Sequence, residues 1–156
     1  DPLKLNPFVH APEFSWTISG RQLLEEGGLR LELGGTELFL ALERLTERPL
    51  PVALSGTLQV QPGNAPFGLY HWDGARWTAH DDSAVLAVWA PGGGRAYYVG
   101  EEGGRTVLKR VSDSEAAVVV GEANANLNAI AGNAQALWTA GYAGATLRMD
   151  LPKAAR

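Results

Sequence analysis

Turn-forming residues interrupt this chain so often that only short secondary-structure elements fit between them. The 156 residues include 19 glycines and 9 prolines. Between the turns, apolar and polar residues alternate over short runs, as where Phe14, Trp16 and Ile18 alternate with serine and threonine. This period of two is typical of a strand with one buried face. The chain is therefore predicted to be an all-β protein.

The N-terminal half is predicted to form a small antiparallel meander or a sandwich-like unit. Leucines alternate with charged residues over residues 29–33, and Gly34-Gly35 then favours a two-residue turn. This pattern predicts a hairpin with the apolar run of residues 36–42. Residues 37–48 are also rich in good helix formers at helical spacing, so a helix there is an open alternative. Residues 52–60 predict a further strand or strand pair.

Composition divides the chain into four predicted segments. Residues 1–13 carry three prolines without periodicity and are expected to form an extended arm. Residues 14–63 form the meander or sandwich-like part. Residues 64–151 are richer in glycine, alanine and aromatic side chains and form a repeat part, and residues 152–156 are a tail.

The repeat part contains an internal period close to the length of a propeller blade. Leu69, Leu108 and Leu147 are spaced 39 residues apart and are predicted to occupy equivalent buried strand positions. A period near 40 residues is typical of one four-stranded propeller blade. Further matched segments, at an offset of 41, are residues 86–90 with 127–131 and residues 98–100 with 139–141.

Two segments carry a resemblance to a known family. Residues 86–89, Leu-Ala-Val-Trp, followed by residues 96–108 resemble the blade repeat of bacterial β-propellers of the photosystem-assembly-factor and sialidase-like type. Residues 70–77 are similar to the strand, tight turn and tryptophan that often close such a blade. The resemblance covers about residues 67–151 and implies about two blade-like antiparallel sheets. Because a closed propeller needs about four blades or more, closure would come from oligomerisation or further residues, or not occur.

Aromatic side chains are the residues in this chain most able to form a binding surface, because they stack on sugars and anchor protein contacts. The predicted binding residues are Trp89, Tyr98, Trp138 and Tyr142. The competing interpretation is that at least four of the aromatic residues in this part of the chain form the core between sheets.

One segment contains the residue types of a metal site. His71 and Asp73 would share one face of a strand, and His80, Asp81 and Asp82 follow closely. However, Asp73-Gly74 is typical of a hairpin turn whose aspartate accepts backbone hydrogen bonds. The turn is the favoured interpretation, so the sequence predicts no metal, no cofactor and no catalytic residue. A metal-dependent enzyme using His71, Asp73 and His80 is the weaker alternative.

Charge and composition exclude several other classes of function. The net charge of -4 comes without a local basic patch, which argues against a nucleic-acid partner. The lack of cysteine excludes disulfides and thiolate metal sites. Gly92-Gly93-Gly94 is predicted to be a hairpin loop, because no Lys-Ser/Thr pair follows it as in a phosphate-binding loop. Residues 123–147 carry no charge, but their asparagines and glycines argue against a membrane helix.

These observations favour a non-enzymatic binding or assembly module of the cell envelope that holds a protein or a glycan, with homo-oligomerisation left open. The first residue, Asp1, is not methionine, so a removed leader and an extracytoplasmic location in the periplasm, at the cell surface or outside the cell are expected. A cytoplasmic location is the alternative. The alternative function is a structural subunit of a surface layer, pilus or phage particle that uses the proline-rich arm.

Overall fold

The computed structural model describes residues 15–19, 30–32, 37–43, 52–54, 57–60 and 68–152. These residues form strands and a single 3-10 turn, Tyr142–Gly144, and no α-helix, which confirms the prediction of an all-β protein. In chain order the strands are β1 (Ser15–Ser19), β2 (Arg30–Glu32), β3 (Leu38–Glu43), β4 (Val52–Leu54), β5 (Thr57–Val60), β6 (Gly68–Trp72), β7 (Trp77–Asp81), β8 (Val85–Gly92), β9 (Arg95–Glu102), β10 (Arg105–Ser112), β11 (Glu115–Gly121), β12 (Leu127–Gly132), β13 (Ala136–Gly141) and β14 (Thr146–Asp150).

The strands are arranged in four sheets. The first sheet has the order β1-β3-β6-β7, and a small sheet has the order β2-β5-β4. The second sheet, β8 to β11, and the third sheet, β12 to β14, are meanders in which each strand pairs with the next. Strand β1 is parallel to β3, and the other strand pairs are antiparallel. The arrangement agrees with the expected blade-like sheets, which do not close into a propeller within the described residues.

The N-terminal strands pair differently from the local prediction. Leu38–Glu43 is a strand rather than a helix, whereas residues 44–48 lie outside the described residues. The hairpin predicted across Gly34-Gly35 is wrong, because β2 pairs with β5 while β3 pairs with β1 and β6. Pairing with strands distant in the sequence thus outweighs the local turn signal. The predicted strand pair at residues 52–60 is confirmed, since β4 and β5 are antiparallel neighbours.

Two apolar layers of the core lie among the described residues, one on each side of the second sheet. Strand β8 packs against β3 on one side and against β12 on the other. Residues 96–100 of β9 are all buried, so both faces of the second sheet are covered. The layer between the first and second sheets includes Phe39, Leu69, Val85, Tyr98 and Val111, and the layer between the second and third includes Tyr97, Val99, Leu108, Leu127 and Leu137.

The repeated leucines lie on the third strand of their sheets, but only two are equivalent. Leu69 and Leu108 are fully buried, and each faces the next sheet along the chain. Leu147 is half-buried and faces back toward the second sheet, where it approaches Gly121. The expected equivalence is therefore wrong for Leu147. The reason is the strand register. Leu108 lies opposite Val99 in β9, and the counterpart of Val99 at the offset of 41 is Ala140. Ala140 lies opposite Thr146, so Leu147 is one position further along β14.

The uncharged stretch of residues 123–147 forms β12, β13 and the turns beside them. Strands take the place of a helix there because asparagine and glycine interrupt the apolar residues. Across the described ranges, no helix is long and apolar enough to cross a membrane.

We expect Leu108→Ala to lower the free energy of unfolding by about 2–5 kcal/mol, because the substitution leaves a cavity between the second and third sheets. Leu147→Ala should cost less, because Leu147 is only half-buried. Urea denaturation followed by tryptophan fluorescence measures both values. Equal losses in the two variants would contradict this assignment of the core.

Candidate functional site

The four predicted binding aromatics are divided between the interior and the surface. Tyr98 is completely buried, so its assignment to a binding surface is corrected. Trp89 is half-buried between the second and third sheets, where a Cβ atom at Gly132 would lie 2.6 Å from its indole ring. Trp138 and Tyr142 are exposed at 42% and 67%. The structure thus leaves two of the four aromatics available to a partner.

Trp138 belongs to an exposed, mainly apolar face of the third sheet, which we call the open face. The strand register places Ala131 directly opposite Trp138, and Trp138 opposite Arg148. A shallow cavity of about 340 Å³ lies at this sheet. The open face consists of Ala129, Ala131, Trp138, Ala140, Thr146 and Arg148, all of them exposed.

Two positions of the open face have counterparts in the second sheet that are buried under the third sheet. At the repeat offset of 41, Trp138 corresponds to Tyr97 and Ala140 to Val99. Tyr97 is 2% exposed and Val99 is fully buried, because the third sheet covers them. The open face therefore presents the kind of surface that is covered by a neighbouring sheet elsewhere in the same molecule.

A second candidate site lies between the first and second sheets, where ionisable groups surround His71. The ring Nε2 of His71 is 2.9 Å from Oε1 of Glu37, and the ring Nδ1 is 3.0 Å from Oδ1 of Asp113. His71 lies on β6, and Asp113 lies in the turn between β10 and β11. The ring centroids of His80 and His71 are 5.8 Å apart. We call Glu37, His71, His80 and Asp113 the histidine cluster.

The hydrogen bonds of His71 restrict its chemical state. A neutral imidazole carries a single N–H donor, yet both ring nitrogens of His71 face carboxylate oxygens. Both contacts are satisfied if the ring is doubly protonated, or if a cation takes the place of one proton. Phe39 stacks on the ring with centroids 4.2 Å apart and planes 3° apart, which fixes its orientation.

His80 reaches the cluster from a distortion in β7. Leu69 lies opposite Asp81 and Tyr70 lies opposite Ala79, so His80 is left without a cross-strand partner. Such a bulge redirects side chains and is frequent beside functional sites. Burial lowers the pKa of His80, and the neighbouring His71 adds to this effect. Within the described part of the chain, Nε2 of His80 is buried and has no hydrogen-bond partner.

Asp73 is not part of this cluster. Its Oδ1 accepts hydrogen bonds from the backbone N–H groups of Ala75 and Arg76 at 2.8 and 2.9 Å. The bonds from Arg76 and Ala75 hold the pKa of Asp73 below its ordinary value. The predicted turn is therefore present. The aspartate beside His71 is Asp113 and not Asp73, which the sequence suggested.

Glycine in the β8–β9 turn allows the cluster to form. The backbone N–H of Gly94 donates a 2.7 Å hydrogen bond to Oε1 of Glu37, and its carbonyl accepts one from the N–H of Asp113. Gly94 has a φ of +68°, and a Cβ atom there would collide with the Asp113 carboxylate. The predicted hairpin loop at Gly92-Gly93-Gly94 is confirmed, and it also anchors two members of the cluster.

Next to the cluster, a buried ion pair joins the first and second sheets. Nζ of Lys109 lies 3.2 Å from Oδ2 of Asp81 and 3.1 Å from Oε2 of Glu102. The hydroxyl of Tyr98 donates to the same Asp81 oxygen at 2.8 Å. Burial would raise the pKa of Asp81, but hydrogen bonds from Ser83 and Tyr98 and the charge of Lys109 outweigh it, so the pKa is lowered.

The ion pair lines one end of an acidic cavity of about 410 Å³. Burial alone would lower the pKa of Lys109, but its bonds to Glu102 and Asp81 outweigh burial and raise it. Lys109 is therefore charged and compensates the acidic groups around it. The ion pair thus has a structural role at the cavity.

Sequence reasoning found His71 and His80 but missed Glu37 and Asp113. These acids are 34 and 42 positions from His71 and lie on other elements. Only knowledge of which segments meet at the sheet interface would have identified them.

Comparison with known proteins adds no assignment, since no family model, curated protein or solved structure matches the chain. The resemblance to propeller blades thus stays a prediction.

We expect Lys109→Met to lower the free energy of unfolding by about 3 kcal/mol or more, because it leaves the Asp81 carboxylate buried without its counter-charge. The matched control is Arg110→Met, which removes a partly exposed ion pair with Glu115 and should cost less than about 1 kcal/mol. Thermal and urea denaturation compare the two variants. A smaller loss for Lys109→Met than for Arg110→Met would show that the ion pair does not hold the sheets together.

Proposed function

We propose that this protein is a non-enzymatic assembly module that associates with a second copy of itself through the open face of the third sheet. The observation that carries the proposal is the exposure of Trp138, whose counterpart Tyr97 is buried under a neighbouring sheet. Large exposed apolar patches on soluble domains commonly mark sites of protein interaction. Tryptophan is also enriched among the residues that dominate the binding energy of interfaces.

The shape of the open face supports a partner with the same face. Ala129, Ala131 and Ala140 share the surface with Trp138, so one large ring stands among small side chains. In a two-fold dimer the same patch meets itself, and the ring of each copy can pack over the alanines of the other. The cavity at this sheet has room for an aromatic side chain.

The charges on the open face are compatible with self-association. Arg148 is its one ionisable side chain, and its Nη2 lies 2.6 Å from Oδ1 of Asp150. The charge on the face is therefore neutralised locally, so two copies can approach without strong repulsion although the chain as a whole carries a net charge of -4.

Sedimentation velocity at increasing protein concentration tests the proposal. The wild-type chain should shift from monomer to dimer as its concentration rises, and Trp138→Arg should stay monomeric because it places a charge in the buried patch. The matched control is Val119→Arg, since Val119 is 41% exposed and lies in the second sheet. It should dimerise as the wild type does.

A wild-type chain that stays monomeric at every concentration would contradict the proposal, and so would a dimer that persists in Trp138→Arg.

Oligosaccharide titration followed by calorimetry distinguishes glycan binding from self-association. Binding of an oligosaccharide to a monomeric wild type, lost in Trp138→Arg, would assign the open face to a glycan instead.

A further inference from the structure

The histidine cluster contains two imidazoles and two carboxylates, and these are ligand types that bind divalent transition metals at sites without cysteine. One ligand atom from each of His71, His80 and Asp113 can be chosen so that all three lie within 4.8 Å of one another. We propose that these three side chains bind one divalent transition-metal ion, of which Zn²⁺ is the representative. This inference is independent of the open face.

The unpaired nitrogen of His80 is the first argument for a ligand. A buried polar atom without a hydrogen bond is costly, and native proteins rarely retain one without a reason. Nε2 of His80 is such an atom, and no partner is present in the described residues. A metal ion in the cluster would give this buried nitrogen a bond that the described residues do not provide.

The contact between Glu37 and His71 is the second argument. A metal-ligating histidine usually donates its other ring N–H to a carboxylate or carbonyl, which fixes its tautomer and orientation. Glu37 accepts from Nε2 of His71 and is itself held by the N–H of Gly94. With the proton on Nε2, the lone pair of Nδ1 points toward Asp113 and is available to the metal.

The distances suit one ion. With bonds of about 2.0–2.1 Å, two ligand atoms of a tetrahedral zinc lie roughly 3.3 Å apart. Nδ1 of His71 and Oδ1 of Asp113 are 3.0 Å apart, so the ion would replace the proton between them. A ring nitrogen of His80 lies within 4.8 Å of these ligand atoms, so a rotation of its half-buried side chain would supply the third ligand.

The site would be open to solvent on one side. The Asp113 side chain is 63% exposed, whereas that of His71 is 3% exposed, so an ion can enter from the side of the β10–β11 turn. Three protein ligands leave a fourth position for water in tetrahedral geometry. Because His71 and His80 belong to the first sheet and Asp113 to a turn of the second, the ion would also link the two sheets.

Titration of the metal-free chain with Co²⁺, followed by competition with Zn²⁺, tests the site. The wild type should bind one equivalent of Co²⁺ with the visible absorption of low coordination number, and Zn²⁺ should displace it. His80→Ala and Asp113→Asn should abolish this absorption. Asp73→Asn, which changes a carboxylate of the neighbouring turn, should bind like the wild type.

Glu37→Gln should retain the shape of the Co²⁺ spectrum but require about 10–100-fold more metal, because Glu37 orients a ligand without being one. Zn²⁺ should raise the melting temperature of the wild type but not of Asp113→Asn, whose change lies in an exposed turn and leaves the core intact. The assignment is overturned if Co²⁺ gives no absorption beyond that of the aqueous ion. Wild-type affinity in either ligand variant would overturn it equally.

Discussion

Burial of both faces of strand β9 is the constraint on which the arrangement of the other sheets depends. Ala96 and Tyr98 face the first sheet while Tyr97 and Val99 face the third, so the second sheet needs a neighbour on each side. The buried hydroxyl of Tyr98 also needs an acceptor, and Asp81 at the end of β7 provides it. This hydrogen bond and the ion pair of Lys109 with Asp81 both join the first sheet to the second.

The local features of the chain could be predicted because neighbouring residues determine them. The alternating runs, the Asp73 turn and the glycine loop before Arg95 follow from side-chain period and turn chemistry alone. The pairing of β2 with β5 depends on which distant strand offers the better partner, and the two leucine-rich runs around Gly34-Gly35 contain no such information. Glu37 and Asp113 were missed for the same reason, since they reach His71 only through the packing of two sheets.

The exposure of an aromatic residue depends on whether another sheet packs on its face, which is why two of the four predicted binding aromatics are exposed and two are not. Trp89 and Trp138 occur in similar alternating strands, and composition does not distinguish them. Trp89 is covered because β12 packs against β8, whereas the face that carries Trp138 has no neighbour among the described strands. A sequence repeat indicates which positions are alike, but the third sheet differs physically from the second, because no described strand covers the face that carries Trp138.

The two sheet interfaces differ in chemistry, and this difference separates the two proposed roles. The interface between the second and third sheets is mainly apolar, with hydrogen bonds made by Thr106 and the buried hydroxyl of Thr139 as its polar groups, so its stability depends mainly on buried area. The interface between the first and second contains the hydrogen bonds of His71 and the ion pair of Asp81 with Lys109, whose directional contacts restrain how the two sheets align. An apolar face can accept another sheet, as the open face is proposed to do. A polar interface can instead hold an ion where hydrogen bonds and stacking orient a ligand, as they do for His71.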